Sequence, residues 1–529
     1  MLNKKVSTTG LIFLAMIVLL IFGWTKMPKQ EKLERKAEFS LPGFTDQVVL
    51  PEFPEKICDI RDYGAVEGTE EKSTRAINNA IVDCHQKGGG TVIIPAGQWL
   101  SGAINLKSNI DLHLEDGSEI IFSTDLNDYL PVVFTRFQGM EFYNFSPLIY
   151  AKDSHDIAIT GKGKLIGSGE FRDDWTGEGN FQTARKNLYA MVREGISPEE
   201  RLFGDNEPGL RPSFIQFVNS KDILLDGFTV ENGPIWTIHP VYVENFVARN
   251  LTIDTWSGNT DGIVIDSSKN VIIENCDIST GDDAIVIKSG LEEDGWRVAR
   301  PSENILIRNI TVIKGHGGVS IGSEMSGGVR NVYIYDSSFK NTRHGFRIKS
   351  TKSRGGFVEN IRVSNIEMVN ISSDAIDINF SYSSPLRTNI SNKPDLKNIY
   401  IGNIYGSDIK KAVIKIDGLT NSVMENLTFE NITFSSAYKA INFKNARNAT
   451  LKNIRVVASQ NPVFEIENGK NIRIEGSGCT GNIETCISFK GAKTQNIFLK
   501  GFDFAGKAVE KTGKISQEAI VIENPINEI

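Results

Sequence analysis

Three aspartates in the middle of the chain have a spacing that suits joint acid–base chemistry. Asp261 ends the tripeptide Asn-Thr-Asp, and Asp282 and Asp283 are adjacent in Gly-Asp-Asp-Ala. Carboxyl groups held close together cannot all ionise freely, so one of them should have a raised pKa. An acid beside an ionised carboxylate is what glycoside hydrolysis requires. A lone Asp-Asp pair is more often a turn or a calcium ligand, so the pair needs support from other residues.

Basic residues occur further along the chain. His316 lies in Gly-His-Gly, and Arg347 and Lys349 flank a single isoleucine. Arg and Lys bind carboxylates through charge and hydrogen bonds. An acidic protein that gathers such residues in one groove would therefore select an anionic ligand.

An internal repeat of about 25 residues explains how these side chains would meet. Its unit is an Asn, then alternating apolar residues, then Asn, Asp or Gly, as in 270–275, 304–309 and 331–336. Alternation predicts strands, a period in the twenties predicts a solenoid, and Asn suits a tight turn because it tolerates left-handed backbone. The Leu frame of leucine-rich repeats is missing. We therefore predict an all-β fold, a right-handed parallel β-helix.

The candidate residues also share a phase of this repeat. His316 is as far from Asn304 as Asp282 is from Asn270. Neighbouring coils of such a solenoid lie about 5 Å apart. The carboxylates, the histidine and the Arg/Lys pair should therefore line one groove.

Composition excludes several classes of protein. The chain has 58 Lys+Arg and 65 Asp+Glu, a net charge of −7, which argues against a nucleic-acid binder with a basic surface. Apolar residues make up 40% of the chain, which excludes wholesale disorder. Five cysteines exclude a disulfide scaffold and match no zinc spacing. Cys479 and Cys486 are close enough to pair in an oxidising compartment, but we favour buried free thiols.

One folded domain is expected behind an export segment. Two lysines precede an apolar run over 11–24, which is shorter than the about 20 residues of a spanning helix and fits a secretory signal. We predict a signal peptide or uncleaved anchor over 1–27, a polar tether over 28–54 and one β-helix over 55–525. The protein is then periplasmic, on the cell surface or secreted, and it meets a membrane only through the first segment.

Two further features bear on the ends of the solenoid and the groove. A helix over 73–86 should cap the apolar end, because apolar residues recur at helical spacing behind Ser73. Residues 168–212 lack the repeat, and the interval before Asn304 is long. Loops at these places can wall off one end of the groove and leave a pocket for a chain end. The alternative is that they point elsewhere and the groove stays open.

These motifs together resemble the polygalacturonase family of glycoside hydrolases, family 28. Four motifs in order carry the resemblance, and they stand at 259–261, 281–283, 315–317 and 347–349. The resemblance covers roughly residues 58–385, and it extends upstream to the segments 62–65, 88–95 and 236–240. Exo-acting members of the family are similar to this chain over 297–304 and 322–324. Val264 departs from the pattern, since the family often has Asp there.

The resemblance implies a role for each residue. Asp282 resembles the general acid that protonates the leaving oxygen. Asp261 and Asp283 resemble the pair that activates water, with inversion at the anomeric carbon. His316 resembles the residue that keeps the acid protonated and oriented. The substrate-binding residues implied are Arg347, Lys349, Lys288, His239 and Tyr382.

The implied activity is hydrolysis of α-1,4-galacturonosyl linkages in pectin, with exo action and without a cofactor or metal. The expected partner is a pectic polysaccharide or oligogalacturonide, and no nucleic acid. Three alternatives stay open: a hydrolase of rhamnogalacturonan or xylogalacturonan, a calcium-dependent pectate lyase, and a β-helix that only binds polysaccharide. Trp236, Trp256 and Trp296 are candidates for stacking on sugars, although at least two of them should pack in the core.

Overall fold

The computed structural model describes residues 42–167, 180–205, 208–382, 391–420 and 422–525. Phe44–Ile529 forms one compact unit, and Met1–Gly43 is a separate unit. The predicted export segment and residues 28–41 of the predicted tether lie outside the described residues. Residues 44–54 of the predicted tether belong to the compact unit, where Phe44 is buried with Leu306 and Tyr335. No helix within the described ranges is long and apolar enough to cross a membrane.

The described residues form a parallel β-helix, which confirms the predicted fold class. A single sheet contains 34 strands that pair in parallel with the strands one coil away, and a separate antiparallel hairpin contains two more. The strands before the catalytic coils are Ile57–Asp59, Gly68–Lys72, Gly90–Ile94, Gly97–Ser101, Ile104–Asn105, Ile110–Leu114, Ser118–Phe122, the hairpin Val133–Phe137 and Met140–Asn144, Ile149–Lys152, His155–Gly161 and Lys164–Ile166.

The remaining strands continue the same coils. Those of the middle region are Ile215–Val218, Lys221–Asp226, Thr229–Glu231, Ile238–Val241, Glu244–Arg249, Thr252–Thr255, Ile263–Asp266, Lys269–Thr280, Ile285–Lys288, Ser302–Gly322, Val329–Lys340, Thr342–Lys349, Phe357–Ile371 and Ile376–Asn379. Those of the last region are Asp395–Asp417, Met424–Lys444, Arg447–Ala458, Phe464–Glu467, Lys470–Glu475, Gly478–Thr480, Thr485–Lys490, Gln495–Lys500, Ala508–Thr512 and Ile520–Glu523.

The repeat folds this way because its alternating residues face two environments. Ile263, Ile285, Val319 and Phe346 stack in register from coil to coil, and all are buried in the central core. The intervening positions point outward. One row of strands therefore presents a continuous outer face along which side chains from different coils become neighbours.

The predicted role of the repeated Asn is confirmed. Asn270, Asn304 and Asn331 each have φ near +57°, a left-handed conformation that Asn adopts more readily than most residues. Their side chains also form a ladder. The amide of Asn304 donates to Asn270 at 3.0 Å, and that of Asn331 donates to Asn304 at 3.0 Å. The ladder gives the side-chain amide of each of these Asn residues a hydrogen-bond partner on the neighbouring coil.

Within the described ranges, three α-helices and five short 3-10 turns accompany the strands. Helix α1, Thr74–Gln86, buries Ile77, Ile81 and Cys84 against the first coil and forms the predicted cap. Ser73 occupies its N-cap position, but the Ser73 hydroxyl bonds to the backbone of Val66 and not to the helix. The other helices are α2, Asn180–Arg193, and α3, Glu292–Val298; the 3-10 turns are Thr45–Gln47, Ile60–Tyr63, Leu126–Tyr129, Pro198–Glu200 and Gln517–Ala519.

The inserted segments pack on the outer face of the strand row. Helix α2, the hairpin 133–144 and Leu291 share an apolar cluster with Val264 and Val286, which are outward positions of adjacent strands. Arg201, which follows α2, donates to Asp294 in α3 at 2.6 Å. The described part of the predicted excursion over 168–212 therefore covers the coils next to the candidate residues; residues 168–179 and 206–207 lie outside the description.

The prediction for two of the cysteines was wrong. Cys479 and Cys486 form a disulfide, whereas Cys58, Cys84 and Cys276 are buried free thiols. The pair forms because Cys479 lies in one short strand and Cys486 lies in the next strand, with their Cα atoms 5.7 Å apart, within the range that a disulfide needs.

Candidate active site

The three aspartates meet at one corner of the β-helix. Asp261 precedes the strand Ile263–Asp266, and Asp282 and Asp283 precede Ile285–Lys288 one coil later. A carboxylate oxygen from each lies within 4.8 Å of one from each of the others. Backbone bonds fix this corner, since Gly262 N donates to the carbonyl of Asp283 at 3.0 Å. The geometry brings together the residues that the sequence predicted would converge.

Asp283 is held as a carboxylate. Its side chain is 1% exposed, and Lys349 Nζ lies 2.7 Å from its Oδ2. Burial alone would raise the pKa of Asp283, but the charge and hydrogen bond of Lys349 outweigh it and lower the pKa to about 2. Its other oxygen, Oδ1, has no hydrogen-bond partner in the described residues. That oxygen is a ready acceptor for a water or a substrate hydroxyl.

Asp261 has the opposite environment. Burial and then the nearby charge of Asp282 raise its pKa well above the ordinary value for aspartate. The carboxyl group of Asp261 therefore binds a proton more readily than that of Asp283 beside it. This is the raised pKa that the sequence predicted, and the structure assigns it to Asp261.

Asp282 is the most accessible of the three and is the one that contacts His316. His316 Nδ1 lies 3.3 Å from Asp282 Oδ1, and Asn259 Nδ2 lies 3.5 Å from Asp282 Oδ2. The hydrogen bond to Asp282 raises the pKa of His316 above its ordinary value despite partial burial. The pair thus keeps a proton next to Asp282, at the edge of the cleft.

Arg347 and Lys349 lie two coils beyond Asp283 on the same strand row. Arg347 Nε bonds to Asp377 Oδ2 at 3.0 Å, and its guanidinium lies 5.2 Å from the ring centre of Tyr382. Lys349 Nζ lies 5.8 Å from the same ring. Tyr382 therefore sits directly over the predicted carboxylate-binding residues, so the structure brings all three together.

Lys288 and His239 are placed differently from the other candidates. Lys288 is buried and paired with Glu324 at 2.7 Å. His239 is 0% exposed and bonds through Nδ1 to Gln216. Burial lowers the pKa of His239, so its imidazole is neutral. Neither residue offers free surface for an anionic sugar, although the charge of Lys288 acts on Asp261 from beneath.

The three tryptophans divide as the sequence predicted. Trp236 is buried, and its ring stacks on Phe137. Trp296 is half-buried, and its indole N–H donates to the carbonyl of Arg354. Only Trp256, at 61% exposure, is free for a sugar.

Sequence reasoning missed the residues that support the site from below. Asp377 holds Arg347, and Glu324 holds Lys288. Asp377 pairs in register with Arg347, so its place in the repeat was a usable signal. Glu324 follows a long strand in an irregular turn, and nothing in its spacing marks it as a partner of Lys288.

The carboxylate cluster has the size of a cation site, but its charges are already balanced. Lys349 occupies one oxygen of Asp283, and the raised pKa of Asp261 favours the neutral form of that carboxyl group. A divalent cation needs several ionised oxygen ligands. The donor set therefore suits proton transfer better than calcium binding.

Comparison with known proteins identifies the family. The profile described as "Glycosyl hydrolases family 28" matches residues 204–446. A hyperthermoactive exopolygalacturonase from Thermotoga maritima has a solved structure with 34% identity and a TM-score of 0.69, over 82% of this chain and 95% of that one. The chain therefore belongs to glycosyl hydrolase family 28.

Two curated relatives are matched over part of their length. A probable polygalacturonase of Vitis vinifera is 31% identical over 58% of this chain and 60% of its own. An exo-poly-alpha-D-galacturonosidase of Dickeya chrysanthemi is 26% identical over 62% of this chain and 58% of its own. The chain thus spans somewhat more than half the length of these relatives.

Proposed function

We propose that the protein is a glycosidase that hydrolyses α-1,4-galacturonosyl linkages of pectin from a chain end. The observation that carries the proposal is the corner cluster, in which the pKa of Asp261 is raised and the pKa of Asp283 is lowered, with Lys349 paired to Asp283 and Arg347 on the same strand. The family and the names of the relatives support this activity. Hydrolysis of a glycosidic bond needs a proton donor and a base, and the three carboxyl groups of the cluster can supply both.

Burial and the neighbouring charge of Asp282 raise the pKa of Asp261. In the proposed mechanism, a proton that these two neighbouring carboxyl groups exchange is donated from Asp282 to the leaving oxygen. Asp261 is then a carboxylate and, with Asp283, can take a proton from the attacking water. His316 contacts the carboxyl group of Asp282 and can hold it in the orientation that this transfer needs.

Inversion at the anomeric carbon is part of the proposal. Oxygens within 4.8 Å are closer than the about 6.5–9.5 Å that usually separates the two carboxyl groups of inverting glycosidases. Inversion therefore rests on the family resemblance, and NMR of the first product decides it. If the product keeps the configuration of the substrate, the role of Asp261 would be that of a nucleophile and not that of a base that activates water.

The ligand should be anionic, because the cleft concentrates positive charge. Arg347, Lys349 and a protonated His316 line it or border it, in a protein whose net charge is −7. A uronate carboxylate can bind Arg347 beside the ring of Tyr382. A neutral glycan would leave these charges without a counterion. Activity on de-esterified homogalacturonan, rhamnogalacturonan and xylogalacturonan separates the three pectic substrates.

Exo action follows from where the inserted segments lie. The outward positions Val264 and Val286 are covered by α2 and the hairpin 133–144, whereas Arg347 and Tyr382 keep exposed surface. The groove is thus closed towards the N-terminal coils, and a polymer can enter only as far as that wall. Val264, where the family often has Asp, is one of the residues on which these inserted segments pack.

Product analysis tests exo action. An exo enzyme releases monomer or dimer from the start, while the viscosity of the polymer falls slowly. Early mixed oligomers with rapid loss of viscosity would contradict the closed groove and leave the hydrolase assignment intact. A lyase would instead generate an unsaturated uronide with strong ultraviolet absorbance and would stop when calcium is chelated. We expect no such absorbance and no effect of a chelator.

We also propose that the protein is exported to the periplasm, the cell surface or the medium. The apolar run over 11–24 supports this, as does a disulfide, which persists in oxidising compartments. Cell fractionation of the full chain tests it. Retention of all the protein in the cytosol would contradict the proposal.

A further inference from the structure

A pocket opens beside His316, which forms part of its lining. It has a volume of about 320 Å³ and is lined by residues from successive coils, among them Trp256, Gly281, Lys314, His316 and Arg343. Pockets of roughly 300–1,000 Å³ commonly hold small ligands. Because His316 also contacts Asp282, the pocket begins beside the proposed proton donor.

The charges in this pocket are not neutralised by the protein. Within the described parts of the chain, neither Lys314 nor Arg343 forms an ion pair or a side-chain hydrogen bond, and both are exposed. Basic residues elsewhere on the same strands are paired. Arg308 lies 2.6 Å from Glu274 and Lys340 lies 3.4 Å from Glu367. Two unpaired cations at one pocket in an acidic protein indicate an anionic ligand.

Trp256 adds an apolar surface to the same pocket. It is the most exposed aromatic residue among the large exposed side chains, at 61%, and it lies on the coil of Asp261. An exposed indole face is costly to leave in water and is a natural platform for the apolar face of a sugar ring. Stacking beside a pair of cations is the combination that a uronic acid residue would satisfy.

We propose that Trp256, Lys314 and Arg343 form a subsite for a uronate residue in the leaving part of the substrate chain. Asp282 donates its proton to the oxygen of the glycosidic bond that is cleaved. The leaving part of the substrate is the polymer chain that carries this oxygen. That chain passes His316 into the pocket, where its carboxylate meets Lys314 and Arg343. The subsite extends recognition beyond Arg347 and Lys349, and it rests on the proposed function.

Kinetics on substrates of different length test the subsite. The variants are Trp256→Ala and the double variant Lys314→Ala with Arg343→Ala, and the substrates are the disaccharide and hexasaccharide of α-1,4-linked galacturonate. We expect the KM for the hexasaccharide to rise about fivefold more than that for the disaccharide. The control variants are Tyr438→Ala and Lys444→Ala, which alter exposed residues of the last coils and should leave both values unchanged.

Equal changes for both substrates, or none, would overturn the subsite. A methyl-esterified hexasaccharide adds a second comparison, because the double variant should prefer the free acid less strongly than the parent protein does, while Arg347 and Lys349 retain part of that preference. Failure of the proposed function has a different signature, namely no hydrolysis of any galacturonide by the parent protein. In that case, calorimetric titration of the hexasaccharide into the parent and the double variant still decides the subsite. Equal affinities would overturn it, and weaker binding by the double variant would support it.

Discussion

Two regions of one strand row share the same backbone and differ in what surrounds them. Lys349 and Lys444 occupy equivalent outward positions, linked in register through Asn379 and Asp417. Lys349 is buried against Asp283, whereas Lys444 is exposed. The strand geometry is the same in both places, so the repeat by itself does not create the site. The turn before the strand and the inserted segments around it change the environment of a repeated position.

The charges of the last region illustrate the ordinary case. Glu465 pairs with Lys439 and Lys490 on neighbouring coils, and its side chain keeps 16% of its surface in solvent. Ion pairs at the surface contribute about 0–1 kcal/mol each. In the cluster of aspartates, Asp261 and Asp283 are almost fully buried, and the pKa of the first is raised while that of the second is lowered. Burial therefore shifts the pKa values of carboxyl groups at repeated positions far enough for acid–base chemistry.

The largest expected effect is on kcat, which should respond to a substitution at the aspartate cluster and not to one in the last coils. Asp282→Asn removes the proposed proton donor and should lower kcat by about 10²–10⁴-fold, with an unchanged circular dichroism spectrum. Asp417→Asn changes a carboxyl of the same strand row two coils beyond Arg347 and should leave kcat unchanged. Equal turnover in the Asp282 variant and the parent would remove that residue from the mechanism.

The next effect concerns stability. Lys349→Met leaves the Asp283 carboxylate buried without its partner, which should lower the free energy of unfolding by about 3–5 kcal/mol. Lys444→Met at the equivalent exposed position should change it by no more than about 0.5 kcal/mol. Urea denaturation of both variants measures the difference. Similar losses would mean that burial does not distinguish the two regions.

The same pair has a defined pH dependence. The pKa of Asp283 is lowered on folding, so its stabilising contribution is present above the ordinary pKa of aspartate and is lost as the pH falls towards 2. In Lys349→Met the unpaired carboxylate is penalised at neutral pH, and protonation at low pH relieves that penalty. The stability gap between variant and parent should therefore narrow on acidification.

A third effect lies in the pH profile of the reaction. The pKa of His316 is raised by its hydrogen bond to Asp282, so kcat should fall as the pH rises through that raised value. His316→Gln should lower kcat by about 10²-fold and remove the alkaline decline that follows the titration of His316. His155→Gln, at an exposed histidine paired with Asp156, should leave the profile unchanged. An identical profile for the His316 variant would assign that residue a merely structural role.

The smallest effect concerns the last region alone. Replacing Cys479 and Cys486 by serine opens a short loop and should cost about 2 kcal/mol of stability. It should leave kcat and KM unchanged, because the disulfide lies many coils beyond the catalytic corner. Calorimetry and initial rates measure the two quantities. A loss of activity larger than the loss of folded protein would show that the two regions are coupled.

The convergence of the proposed catalytic residues was predictable from the sequence because they belong to the repeat. Asp282 and His316 share a distance from the leading Asn of their coils, and stacked coils convert equal distance into proximity. Tyr382 and Arg347 were also brought together as expected. His239 and Lys288 were not, since their outward positions lie beneath inserted segments that contain no repeat. The spacing of Cys479 and Cys486 allowed a disulfide without deciding it, because the turn between their two strands sets the distance between the sulfurs.

The sequence by itself therefore determined the β-helix, the order of its coils and the corner where the carboxylates meet. Each of these depends on a local period of two within a longer period, and both are visible in the residues. Only the tertiary structure decided which carboxyl holds the proton, where the groove ends and which cations stay unpaired. Those properties depend on burial by segments distant in sequence, such as helix α2 over Val264, and burial sets the free energy of every charge in the site.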